Sequence, residues 1–231
     1  TSDDTATPSL AMNLVFRNPA LLQWQALMPG AALRGVREVV FHTGMRWPGA
    51  ATEPPQVWFL ESGLLALEQH SPGGFVDVAW LGGQDVVPLL AHEALRLRAL
   101  CDGRVLCLPV AQALSQVPAL LLDWQQDLRA RMARLAACAR AHRPAQALAD
   151  ALLWAHRVSA DADLLWSKEV LPAAQRLPAD QLDSLLAQWV AAGALRHKGQ
   201  ALQVHDAAVL ATMACGCHAA VARPAVPPSV A

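Results

Sequence analysis

The hydrophobic period of this chain changes most sharply at Pro109. Before it, apolar residues come in short runs at 57–60, 64–69, 75–81, 96–101 and 105–108. Successive side chains of a strand point to opposite faces, and runs of this length bounded by turn residues read as strands. The boundaries are Gly63, Ser71-Pro72-Gly73-Gly74, Gly82-Gly83 and Asp102-Gly103. Proline and glycine there supply the backbone angles that chain reversal needs. The second of these boundaries predicts a hairpin, and so does the last, which joins the runs at 96–101 and 105–108. Several short strands divided in this way fold as a sandwich or jelly roll.

After Pro109 the spacing becomes helical. A short helix is expected over 110–114, a long one from Pro118 to about His142, and a third from Pro144 to about Val158. One earlier helix is expected over 18–34, interrupted by Pro29-Gly30. Along the long helix Leu121, Trp124, Leu128, Leu135 and Cys138 fall at alternating three- and four-residue steps, with Arg131 at the missing step. Charged neighbours at Asp123, Asp127, Arg129 and Arg134 narrow that stripe to a line. A narrow line of this period is the seam of a coiled coil, so these five residues are expected at a dimer interface. The competing reading is that the stripe packs on the chain's own β domain. The six arginines between Arg129 and Arg157 are expected on solvated helix surface, the alternative being a nucleic-acid or protein-docking face.

The last third has its own order. Leu171-Pro172-x-x-Gln175 precedes an apolar helix that stops at Gly193-Ala194-Leu195. A basic turn, Arg196-His197-Lys198-Gly199, leads to a strand at Leu202-Gln203-Val204, and Asp206, Leu210 and Ala214-Cys215-x-Cys217 close the stretch. Helix, glycine stop, two-strand turn and closing helix is the order of a winged helix-turn-helix, which places one helix in the DNA major groove.

Composition narrows the classes. The 231 residues are 54% hydrophobic and 16% charged, which is a packed chain with a sizeable core. A net charge of −1 gives no global support for nucleic acid. Five cysteines, an odd number without framework spacing, point to a reducing cytoplasm. Neither a membrane span nor a signal pattern is read, and no membrane contact is expected. No nucleophile–base order or phosphate-cradling glycine loop is found, so no enzymatic activity is expected.

Nearly the whole chain resembles the Crp/Fnr family of bacterial transcription regulators. In the β region the resemblance is carried by Val57-Trp58-Phe59-x-x-Ser62-Gly63-Leu64-Leu65-Ala66-Leu67, by Gly74-Phe75-Val76-Asp77-Val78 and by Gly82. In the last third it is carried by Leu171-Pro172-x-x-Gln175, Gly193-x-Leu195, Gly199-x-x-Leu202-x-Val204-x-Asp206, Leu210 and Ala214-Cys215-x-Cys217. The resemblance implies an α+β fold: a cyclic-nucleotide-binding-like jelly roll over 13–116, a dimerisation helix over 117–143 and a winged helix over 144–222. Residues 1–12 and 223–231 are expected to be disordered.

Two departures from the family pattern bear on function. From Gln175 to Gly193 the chain is roughly seven residues short, about two helical turns. The segment that should begin the recognition helix offers Asp180, Gln181, Asp183 and Ser184. Carboxylates repel phosphates but favour a helix N-terminus. From Asp161 onward there are five basic and six acidic residues, and only Arg196, His197 and Lys198 cluster. The second departure is the nucleotide pocket. It reads Gly82-Gly83-Gln84-Asp85-Val86-Val87-Pro88, then Arg96 and Arg98-Ala99, with no Glu after the glycines and a proline that removes an N–H.

The expected DNA-contacting residues are therefore Gln181 and Ser184 near bases, with Arg196 and Lys198 on phosphates. The expected effector pocket is Gln84, Asp85 and Arg98. The expected partners are double-stranded DNA and a second copy of the chain. The alternative is a dimeric adaptor or antagonist that binds a protein partner or a paralogue without touching DNA. No cofactor is expected, since no cysteine precedes Cys101 for an N-terminal iron–sulfur cluster and His42, His70 and His92 are isolated. Cys215-x-Cys217-His218 has the look of a metal fragment but no CxxC or HxxxH partner in the sequence, so its cysteines are read as packed side chains.

Overall fold

The structure, a computed structural model, describes residues 17–28, 36–48, 55–88, 95–159, 165–166, 171 and 177–217. The expectations for the two chain ends, for 29–34 of the first helix, for Pro172-x-x-Gln175, and for His92 and His218 lie outside them.

Two four-stranded antiparallel sheets face each other. The first has the order β1 (Arg37–Phe41), β8 (Gly103–Pro109), β3 (Gln56–Ser62), β6 (Val86–Pro88). The second has the order β2 (Arg46–Pro48), β7 (Leu95–Ala99), β4 (Leu65–Ser71), β5 (Gly74–Leu81). The turn at Ser71–Gly74 closes the β4–β5 hairpin as its residues predict. The hairpin expected at Asp102-Gly103 does not form. β7 pairs with β2 and β4, β8 pairs with β1 and β3, and the chain crosses between the sheets there. The crossing lets Leu97 and Ala99 meet Val105 and Cys107 across one core, instead of lining up on one sheet face.

Both faces of β3 are covered, which is why its residues do not alternate. Trp58 and Leu60 enter the core between the sheets, while Val57 and Phe59 face the helices on the other side. Those helices are α1 (Pro19–Leu27), α2 (Val110–Gln116) and α3 (Pro118–Ala141). Trp24, Phe59 and Trp124 pack edge-on or tilted there, with centroids 5.4 to 6.4 Å apart. Asn18 fixes the entry of α1: its Oδ1 accepts from the Ala20 N–H at 3.0 Å, and its Nδ2 donates to the carbonyls of Leu60 and Asp85.

The exposed side of the second sheet is covered by the C-terminal module. This comprises α4 (Pro144–Val158), α5 (Ala179–Ala191), β9 (Leu195–Lys198), β10 (Ala201–Val204) and α6 (Ala207–Met213). One apolar cluster runs from Leu64, Ala66 and Trp80 of the jelly roll into α4, Trp166, Leu186, Trp189 and Leu210. Trp80 stacks on Trp166 at 5.4 Å, 16° from parallel. Gly82 sits at this contact, where a Cβ would lie 2.5 Å from Val158 Cγ2. Its smallness serves domain packing and not an anion loop.

Candidate functional site

The α3 stripe turns inward. Leu121 and Trp124 are buried with Trp24 and Phe59, Leu128 and Leu135 are half-buried against the sheet core, and Cys138 is buried beside Cys215. Apart from Cys138, the residues expected at a dimer seam are thus placed as the competing reading has them, on the chain's own β domain. They pack within their own chain, because an uncovered β3 face with Val57 and Phe59 needs the same apolar line. The missing step, Arg131, is also buried, and its Nη2 donates to Asp85 Oδ1 at 2.5 Å.

Asp85 therefore has a structural task. Its other oxygen accepts the Gly82 N–H at 2.7 Å and its carbonyl accepts from Asn18 and Leu60, so it pins the glycine turn to α1, β3 and α3. Burial would lower Arg131, but the Asp85 carboxylate holds its pKa above the ordinary arginine value. The hollow beside this pair, lined by Leu81, Asp85, Val86, Trp124, Asp127, Leu128 and Arg131, encloses about 10 Å³, the room of about one water.

Arg98, expected to neutralise an effector, is 5% exposed and already engaged. Its Nε donates to Glu68 Oε1 at 2.6 Å and its Nη2 to Asp77 Oδ1 at 3.0 Å. Arg96 also donates to Glu68 and lies over the Phe75 ring at 3.6 Å. Trp80 Nε1 donates to Asp77 at 3.2 Å. Burial would raise Glu68, but hydrogen bonds from Arg98 and Arg96 outweigh it and leave the carboxyl below its usual range. Asp77 goes the other way: burial raises it more than Arg98 lowers it. Gln84 is exposed, with its N–H on the Gly82 carbonyl. The three residues expected to form an effector pocket thus have separate partners, and Arg98 and Asp85 are each neutralised by another side chain. Their owners, Glu68, Asp77 and Arg131, carry no local signal that pairs them with these residues, since the pairing depends on sheet register.

The DNA-facing expectations fare differently. α5 ends at Ala191, just before the stop that the sequence places at Gly193. Leu182, Leu186 and Trp189 are its buried face, and Asp180, Gln181, Asp183, Ser184, Ala187 and Gln188 are exposed. Gln188 Nε2 donates to Ser184 Oγ at 3.4 Å. The segment expected as a basic turn is mostly strand β9, paired with β10 at Arg196↔Gln203, His197↔Leu202 and Lys198↔Ala201. Arg196, His197 and Lys198 are all exposed, and Arg196 Nε donates to Gln203 Oε1 at 2.8 Å. Trp166 adds a bridge to Leu202, with bonds of 2.8 and 2.9 Å, so the wing has a third edge. Asp206 caps α6 through the N–H groups of Ala208 and Val209.

Jelly roll, long helix, then a helix and hairpin closed by α6 is a combination found in solved structures. The chain matches a CRP-family transcriptional regulator from Thermus thermophilus with TM-score 0.58 and 18% identity, over 76% of this chain and 96% of that one. The chain has the Crp/Fnr fold. A second regulator of the CRP/FNR family from the same organism matches at TM-score 0.54 and 18% identity, over 77% and 98% of the two chains. FixK2 from Bradyrhizobium japonicum matches at TM-score 0.55 and 16% identity, over 78% and 98%. By sequence the chain matches no family model and no curated protein. On the Crp/Fnr fold this chain sets an exposed α5 and wing beside a jelly roll whose buried charges are paired within the chain. Among the described residues no helix is long and apolar enough to cross a membrane.

Proposed function

We propose that this protein is a dimeric transcription regulator that contacts DNA through α5 and the β9–β10 wing. The carrying observation is the division of α5: three large apolar residues anchor one face, and Gln181, Ser184 and Gln188 stand exposed on the other. Gln181 suits an adenine edge, and Arg196 and Lys198 suit phosphates flanking the groove. The Crp/Fnr fold supports this reading, as does the resemblance of the sequence to that family.

The dimer forms through the outward side of α3. Ala119, Leu122, Gln126, Ala130, Ala133 and Ala137 follow three- and four-residue steps there and all are exposed, Leu122 at 57%. Small residues in that line let two helices approach closely.

Asp180 and Asp183 favour a second reading, a dimeric adaptor that keeps the fold and binds protein instead of DNA. They stand exposed in the first turns of α5, where phosphates would come nearest. Fluorescence anisotropy with a pool of genomic duplex fragments, at ~50 and ~200 mM salt, separates the two. The regulator reading expects enrichment of particular fragments and a shallow salt slope. Two wing cations per protomer give four per dimer, hence a log–log slope of about −3.6. A folded dimer that binds no fragment at low salt overturns the regulator reading and leaves the adaptor.

A further inference from the structure

The last turn of α3 places Cys138 and His142 four residues apart, so both side chains leave the same side of the helix. His142 is the C-cap residue, and its N–H donates to the Cys138 carbonyl at 3.0 Å, which fixes its backbone. Seventy-seven residues after Cys138, α6 ends and the chain runs through Cys215-Gly216-Cys217. Gly216 has φ +79°, a conformation that glycine adopts without strain, and it folds the two cysteines towards one point. There the sulfurs of Cys138, Cys215 and Cys217 and a ring nitrogen of His142 all lie within 4.8 Å of one another. Cys138 Sγ and Cys215 Sγ are 3.5 Å apart.

That span has a chemical meaning. Zinc–sulfur and zinc–nitrogen bonds of about 2.3 and 2.0–2.1 Å, set tetrahedrally, give ligand–ligand edges of about 3.5–3.8 Å. A small contraction of the observed group closes such a shell. An iron–sulfur core, with its bridging sulfides, spreads its ligating sulfurs wider than this group allows. Three thiolates and one imidazole are a soft set that selects zinc over magnesium or calcium, and four protein ligands leave no open position for catalysis. Asp150, 2% exposed, has Oδ2 3.4 Å from Cys215 Sγ and adds a carboxyl beside the sulfurs, where its negative potential favours a bound cation. The sequence motif Cys215-x-Cys217 thus has a partner pair, Cys138-x-x-x-His142, on an element remote in the chain.

We propose that Cys138, His142, Cys215 and Cys217 form a structural zinc site that clamps the C-terminal module to the end of α3. The ligands lie just before α4 and just after α6, so the ion ties both ends of the segment that carries α5 and the wing. Closing so long a segment restricts the unfolded chain and fixes where the module sits against α3.

The test uses the full chain without a histidine tag, purified under reducing conditions without chelator. Elemental analysis is expected to find about one zinc per chain, with cobalt substitution giving sulfur-to-cobalt charge-transfer bands and tetrahedral d–d bands. Cys217→Ser and His142→Gln alter half-buried positions, and each is expected to leave the chain folded and to weaken zinc binding at least ~10-fold. Chelation is expected to lower the Tm of the wild type but not of these variants. Any of three results overturns the site: a folded chain that neither carries zinc nor takes up cobalt tetrahedrally, metal content that both variants leave unchanged, or a Cys138–Cys215 disulfide in the native chain.

Discussion

The jelly roll and the C-terminal module handle charge in opposite ways. In the jelly roll, buried Arg98 is taken by buried Glu68 and half-buried Asp77, and buried Asp85 takes the buried Arg131 of α3. In the module, Asp180, Gln181, Ser184, Arg196 and Lys198 stand exposed on a helix and a hairpin. A buried charge must be matched within the protein, because desolvation is otherwise too costly. Once matched, it has little left to offer a ligand. The difference teaches that an arginine in the right strand does not make a pocket; what matters is which group neutralises it.

That contrast can be broken at several points. The largest effect is expected from Asp85→Ala, which leaves Arg131 buried without its carboxylate and Gly82 without its acceptor. Loss of one partner of a buried pair costs about 3–5 kcal/mol. For a chain of this size that is a Tm drop of roughly 6–20 °C by calorimetry. The double change Asp85→Leu with Arg131→Met is expected to recover much of it, and no recovery would mean that the Gly82 contact dominates.

Gly82→Ala comes next and probes the join between the two regions. Its Cβ would meet Val158 Cγ2 at 2.5 Å, and overpacking of this kind costs about 1–3 kcal/mol. Val158→Ala in the same chain is expected to restore the Tm; if it does not, the strain lies elsewhere.

A smaller effect follows from pH. Because the folded-state pKa of Glu68 is lowered, its contribution is complete above the unfolded value of 4.5 and is lost as pH falls through the folded value. Asp77 is raised and acts in the opposite direction over the range between its two values. Glu68→Gln is expected to flatten the fall in Tm as pH drops below 4.5, and an unchanged slope there would show that the pair with Arg98 is not the acid-sensitive element.

The smallest stability effects are expected in the module. Arg196→Ala and Lys198→Ala change unfolding free energy by no more than about 0.5 kcal/mol. Each removes one cation per protomer, so the salt slope of DNA binding falls by about 1.8 per dimer. Asp180→Asn with Asp183→Asn is expected to tighten binding to every duplex. Tightening of only one sequence would place those carboxylates at base edges instead of phosphates.

Much of the fold is legible because it rests on local periodicity. The alternating run at 75–81 becomes β5, Pro144 opens α4, and the stop at Gly193 ends α5. β6 is harder to read, since a three-residue edge strand ending in Pro88 carries almost no period of its own. The candidate DNA face is legible for the same reason as α5: a helix with one apolar stripe exposes the remainder. The partners of the expected effector-pocket residues are not legible, because Arg96 and Arg98 alternate as any strand pair would and only the register of β4, β5 and β7 puts Glu68 and Asp77 against them.

By itself the sequence determined where most of the strands and helices lie, and which helices have an apolar side. These properties depend on neighbours within a few positions, where backbone preference and side-chain period act. Tertiary structure alone decided that the α3 stripe packs on its own jelly roll, that β7 and β8 part into different sheets, and that Cys138 and His142 meet Cys215 and Cys217. Each of these joins residues far apart in sequence, and which pairs meet is set by the free energy of the whole packed arrangement, which no local pattern encodes.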